Sequence, residues 1–88
     1  MKRQEKILKA CANVSRLKIL VYLRRHANAS VMNISAGCGI SYKATSKHLG
    51  ILYQADVLDR FQRQSEMRYR ISASLPPLAS AVMNNLSK

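Results

Sequence analysis

Two of the chain's three glycines bracket a single residue, in Gly37-Cys38-Gly39. Glycine enters the left-handed backbone region at no steric cost, and that conformation ends one helix and lets the next leave at a sharp angle. The sequence on both sides reads as helix. Ser30 is placed to cap a brief helix running to about residue 36, with Val31 and Ile34 turned inward. Ser41 is placed to cap a second helix over residues 41–55. Its inward stripe is Thr45, Leu49 and Leu52, and its outward stripe is Tyr42, Lys43, Ser46, Lys47 and Gly50. Two short helices fixed about a glycine turn cannot bury both apolar stripes against each other. The rest of the chain must supply their core.

Residues 2–11 form a basic amphipathic helix, with Ile7, Leu8 and Cys11 on one side. Asn13 is an N-cap for a helix over residues 14–26, with Leu17, Leu20, Val21 and Leu23 inward and Arg16, Lys18, Arg24 and Arg25 outward. Residues 27–30 read as a connector. After residue 55 the apolar period drops from 3.6 to 2. Met67, Tyr69 and Ile71 alternate with Arg68 and Arg70, and residues 57–63 contain the strand formers Val57 and Phe61. Residues 64–66 would be the turn. Pro76-Pro77 then breaks the chain, and Leu78, Ala81, Val82 and Leu86 mark a last short helix. The order α-α-α-α-β-β-α, mainly α with a small β-hairpin, is that of a winged helix-turn-helix. A single α+β domain over residues 1–88 is expected.

Charge narrows the partners. Fifteen Lys and Arg against four Asp and Glu leave +11, a field that favours polyanions. Double-stranded DNA is the expected partner. No apolar run approaches the roughly 18 residues of a membrane span, and no signal-peptide core follows the basic start, so a cytoplasmic protein without membrane contact is expected. Cys11 and Cys38 fit no CxxC spacing and read as reduced thiols. The four carboxylates Glu5, Asp56, Asp59 and Glu66 are scattered, and there is no glycine-rich phosphate loop or His-Glu or Cys-His pairing. Two His and two Cys dispersed along the chain do not make the three or four converging ligands a metal needs. The expectation is no enzyme, no cofactor and no metal.

The DNA-binding candidates are Ser41, Tyr42, Lys43, Ser46, Lys47 and His48 on the helix after the glycine turn, with Arg60, Arg63, Arg68 and Arg70 on the hairpin. A helix fits the major groove and presents its first turns to base edges. Four guanidiniums within eleven residues repel one another unless a polyanion neutralises them. Arg68 and Arg70 share one strand face and are expected outward, and Arg63, nearest the turn, is the best candidate for the minor groove or backbone. Ile7, Leu8 and Cys11 at one end, and Leu78, Ala81, Val82 and Leu86 at the other, exceed what three central helices and a hairpin can cover. They are expected to hold a homodimer together through residues 1–12 and 76–88.

Four segments in register resemble the ArsR-type winged-helix repressors. Residues 8–20 are similar to that family's "ALADPTRLxIL" opening, and residues 40–49, ending Ser46-Lys47-His48-Leu49, to its "LSQSTVSKHL" recognition helix. Ala55-Asp56-Val57-Leu58 is similar to "AGLV", and Arg68-Tyr69-Arg70-Ile71 to the closing "YYxL" strand. The resemblance covers residues 7–72 and implies a dimeric, operator-binding repressor, often released by a metal ion or a thiol oxidant. Departures accompany it. Ser30, Met32 and Asn33 stand where metal-sensing members have Cys-x-Cys followed by Asp, and residues 77–88 contain no His, Asp or Glu. Val14 replaces a usual Pro, Asp56 a usual Gly, and Gln64 the wing-tip Gly. The resemblance implies DNA binding with helix 41–55 in the major groove and wing 57–72 on the flanking backbone, in a non-metal-sensing member. Two other readings stand beside it: a non-specific, chromatin-like basic protein, and a winged-helix module that binds RNA or a protein partner.

Overall fold

After α1 (Lys2–Cys11), three polar side chains start three helices where their sequence positions put them. Asn13 accepts from the Arg16 amide at 3.1 Å ahead of α2 (Val14–Arg25). Ser30 accepts from the Asn33 amide at 3.1 Å ahead of α3 (Val31–Cys38), and Ser41 from the Ala44 amide at 3.1 Å ahead of α4 (Tyr42–Gln54). Each cap satisfies an amide the helix cannot and contributes ~1 kcal/mol. The computed structural model describes residues 2–73, so the last helix expected over 76–88 lies outside the described residues.

The glycines around Cys38 do different work from each other. Gly39 takes φ 67° and ends α3 in the left-handed conformation. Gly37 lies inside α3, which runs two residues beyond the expected end. A Cβ there would sit 2.3 Å from the Tyr22 ring, so Gly37 lets α2 and α3 approach. The turn is then tied from within: the Ser35 hydroxyl donates to the Ile40 carbonyl, and the Ile40 amide donates back to the Ser35 carbonyl at 3.1 Å.

Strands β1 (Ala29–Ser30), β2 (Leu58–Arg63) and β3 (Glu66–Ile71) form an antiparallel sheet in the order β1-β3-β2. The expected hairpin is β2–β3, with Leu58 opposite Ile71 and Arg63 opposite Glu66. Its turn is only Gln64-Ser65, both at positive φ (51° and 67°) as a two-residue hairpin of matching twist requires. Glu66 belongs to the strand rather than the turn. The expected connector 27–30 contains β1, which pairs Ala29 with Tyr69 and Ser30 with Arg68. Two residues are too few to show a period.

The core gathers Ile7, Ile19, Leu20, Ile34, Leu49, Leu52 and Val57, each at most 1% exposed, around the inner face of the sheet. Two expectations are corrected here. The buried stripe of α2 is Ile19, Leu20 and Leu23, with Leu17 only partly covered. In α1, Ile7 and Cys11 are packed with Ala10 into the chain's own core, so a partner is not needed to cover them. The error came from undercounting what the core could absorb, since α1 lies against both α2 and α4. Leu8, on the other side of α1, stays 43% exposed.

Candidate nucleic-acid interface

The outward side of α4 is what the helical spacing promised. Tyr42, Lys43, Ser46 and Lys47 are all exposed and share one face with Gly50, while Thr45, Leu49 and Leu52 anchor the opposite face in the core. The first turn of α4 contains no acid, so the positive end of its dipole adds to Lys43 and Lys47. Ser41 is also exposed, with its oxygen committed to the cap.

His48 departs from this face. It sits half-buried on the flank toward α2, and its Nδ1 is buried with no hydrogen-bond partner among the described residues. Burial pushes its pKa below the ordinary value, and the positive charges of Arg16 and Lys47 push it further the same way. Near neutral pH it is therefore an uncharged ring. As an uncharged, half-buried ring it adds no cation to the DNA-contact candidates on this face.

The four wing arginines divide into two pairs. Arg63 and Arg70 are exposed and flank Phe61, with their guanidinium carbons 5.3 and 5.2 Å from the ring centroid. An aromatic ring near two guanidiniums attracts the cations without neutralising them. Arg60 points toward α4, 3.9 Å over the Tyr53 ring. Hydrogen bonding to Tyr69 raises its pKa further, so it remains a cation at any working pH. It braces the wing against the helix.

Arg68 corrects the expectation of a free outward cation. Its side chain is 20% exposed. Nε donates to the Asn28 Oδ1, Nη2 to the Asn28 carbonyl at 3.5 Å, and Nη1 to the Glu66 Oε1 at 2.6 Å. The guanidinium staples β3 to the residue before β1 and absorbs the wing's only acid near the turn. Sequence reasoning missed this because Asn28 lies forty positions away, beside a strand too short to recognise.

Besides Arg60, which is exposed but lies over the Tyr53 ring, four exposed cations remain on two adjoining elements: Lys43 and Lys47 on α4, and Arg63 and Arg70 on the wing. Between the wing turn and the starts of α3 and α4 lie Met32, Tyr42 and Met67, three of the five large apolar side chains most exposed among the described residues. Sequence periodicity did not bring these three together. The thiols show no reactive setting. Burial pushes both Cys11 and Cys38 above the ordinary thiol pKa, outweighing the lowering by Arg16 and Lys18 respectively. Among the described residues no three His, Cys, Asp or Glu side chains converge as a metal-holding group, and no helix is long and apolar enough to cross a membrane.

A glycine-turned helix pair with an antiparallel wing defines a winged helix-turn-helix of the kind that binds DNA. The comparisons agree. The sequence profile described as "Bacterial regulatory protein, arsR family" matches residues 13–60, more than half the chain. The solved structure of the transcriptional repressor PagR of Bacillus anthracis is 26% identical with a TM-score of 0.82, over 97% of this chain and 93% of that one. HlyU from Vibrio cholerae is 27% identical with a TM-score of 0.81, over 97% and 88%. A homodimeric winged helix-turn-helix DNA-binding domain from Mycobacterium bovis, at 21% identity and a TM-score of 0.82 over 97% and 75%, shares the fold. No curated protein sequence matches the chain. The chain belongs to the arsR family of bacterial regulatory proteins. It is a DNA-binding transcriptional regulator, and neither its family nor its fold is that of an enzyme.

Proposed function

We propose that the protein is a homodimeric, site-specific repressor. It sets the face of α4 that bears Tyr42, Lys43, Ser46 and Lys47 in a major groove and its wing along the flanking backbone. The observation that carries this is the division of the cations. Lys43 and Lys47 stand on the helix that can reach base edges in the major groove, and Arg63 and Arg70 on the wing beside it. Repression is supported by the likeness to PagR, described as a transcriptional repressor, and dimerisation by the homodimeric relative from Mycobacterium bovis. The exposed Leu8 and, in the sequence alone, the apolar pattern Leu78, Ala81, Val82 and Leu86 support the dimer. With Ser30, Met32 and Asn33 where metal-sensing members have ligands, regulation proceeds without a metal, in the cytoplasm.

Selection of bound sequences from a random duplex pool tests this reading. A two-fold symmetric site with half-sites about one helical turn apart is expected. Equal retention of all duplexes would make the protein a non-specific, chromatin-like binder. Failure to retain duplex, with RNA or a protein retained instead, would make it an interaction module.

A further inference from the structure

Where α1 crosses the C-terminal half of α4 and meets the first turn of α2, the three helices leave an open cleft of about 330 Å³. Its floor contains the small, buried Ala10 and Ala55. Its rim is cationic: Lys6 and Lys9 from α1, Arg16 from α2, with the amide of Gln54 completing it. Glu5 lies 3.5 Å from Lys9, and among the described residues no carboxylate pairs with Lys6 or Arg16. Three cations against one acid leave the cleft positive.

The Arg16 guanidinium is the unusual member. Its Nε is buried with no hydrogen-bond partner among the described residues, as is the neighbouring Nδ1 of His48. A guanidinium N–H has no alternative but to donate, and a buried donor without an acceptor is rare in a folded protein. Its planar fork matches a phosphate or carboxylate in two-point contact. The first turn of α2, from which Arg16 projects, has no acid and adds the positive end of its dipole. The depressed pKa of His48, partly the work of Arg16, reports the same positive potential.

We propose that the cleft between α1 and α4 is an anion site that takes a phosphate group between Arg16, Lys6 and Lys9. Nothing in the DNA-binding reading uses these side chains, and no wing residue lines the cleft. The phosphate has two possible sources. One is a small phosphorylated ligand, whose binding would adjust the seat of α4. The other is a backbone phosphate of a duplex lying along α4.

The test is a titration of the intact, isotope-labelled protein with sodium phosphate, against sodium chloride at matched ionic strength, followed by NMR. Saturable shifts of the Arg16 Nε–H and of the Gln54 and Ala55 amides are expected with phosphate only. Arg16→Gln should weaken phosphate binding at least about tenfold. Should that variant lose its native spectrum, the exposed pair Lys6→Gln and Lys9→Gln gives the same reading without touching the core. A parallel titration with duplex DNA in phosphate-free buffer separates the sources. Movement of the Arg16 Nε–H by duplex assigns the site to the DNA backbone; movement by phosphate alone assigns it to a small ligand. Equal responses to phosphate and chloride, or phosphate shifts confined to Lys43, Lys47 and Arg63, overturn the proposal. The phosphate arm contains no DNA, so its outcome is independent of whether the protein recognises an operator.

Discussion

Gly50→Ala should stabilise the free protein and impair it on DNA. Gly50 is the ninth of thirteen residues in α4, and nothing lies within 4 Å of the position its Cβ would take. Removing a glycine from a helix interior gains about 1 kcal/mol when the new methyl meets open space. For a domain of this size that raises the midpoint of thermal unfolding by roughly 4–8 °C. On DNA the arithmetic reverses. Gly50 stands eight residues beyond Tyr42, ~12 Å along the axis, on the face shared with Ser46 and Lys47. A helix ~10–12 Å across has no slack in a groove ~12 Å wide. A methyl at the far end of that face should weaken operator binding about tenfold, or ~1.4 kcal/mol. Calorimetry of the free protein and fluorescence anisotropy on a selected duplex read the two effects separately. A destabilised variant would mean the space beside Gly50 is not open. A stabilised variant with unchanged DNA affinity would mean that the second half of α4 does not face the groove, refuting the docking geometry.

Gly37→Ala should have the opposite sign on stability. The new Cβ would displace the Tyr22 ring from its stack on His26 (centroids 4.0 Å apart), and overpacking of about 1–3 kcal/mol outweighs the gain in helix propensity. Urea unfolding should show the midpoint fall, and a rise would mean that Tyr22 swings aside freely. Arg63→Ala should flatten the slope of log affinity against log salt by roughly 0.9 without altering unfolding. Arg68→Ala should instead lower the unfolding midpoint and leave the salt slope in place, because its guanidinium is spent on Asn28 and Glu66. Exchange of these two outcomes would reverse the roles assigned to the wing arginines. His48 has a folded pKa below its unfolded value near 6.5, so the unfolded chain takes up the proton first. Stability should be greatest above that pH and fall as pH drops through it, and His48→Gln should remove that component of the urea midpoint's pH dependence. Both thiols, held protonated by burial, should react with iodoacetamide at neutral pH more slowly than free cysteine. Rapid modification of the folded protein would contradict the packing of Cys11.

The local chemistry of this chain was readable without coordinates. Asn13, Ser30 and Ser41 are caps wherever they precede helical pattern, Gly39 is where the backbone must turn left-handed, and the outward stripe of α4 follows from a period of 3.6. The alternation of Met67, Tyr69 and Ile71 with Arg68 and Arg70 was enough to read a basic hairpin after that helix. All of these depend on residues within one or two turns of each other. What the sequence left open depends on residues far apart in it that packing brings together. Strand β1 exists because β3 offers it an edge, and Asn28 holds Arg68 across forty positions. Ile7 and Cys11 are core residues because α1 finds α2 and α4, and Gly37 is required by a tyrosine fifteen positions earlier. Which arginines remain free to meet a phosphate, and which are consumed in holding the wing together, is a question of partners. Periodicity gives a side chain its direction, and only the folded chain determines what it meets there.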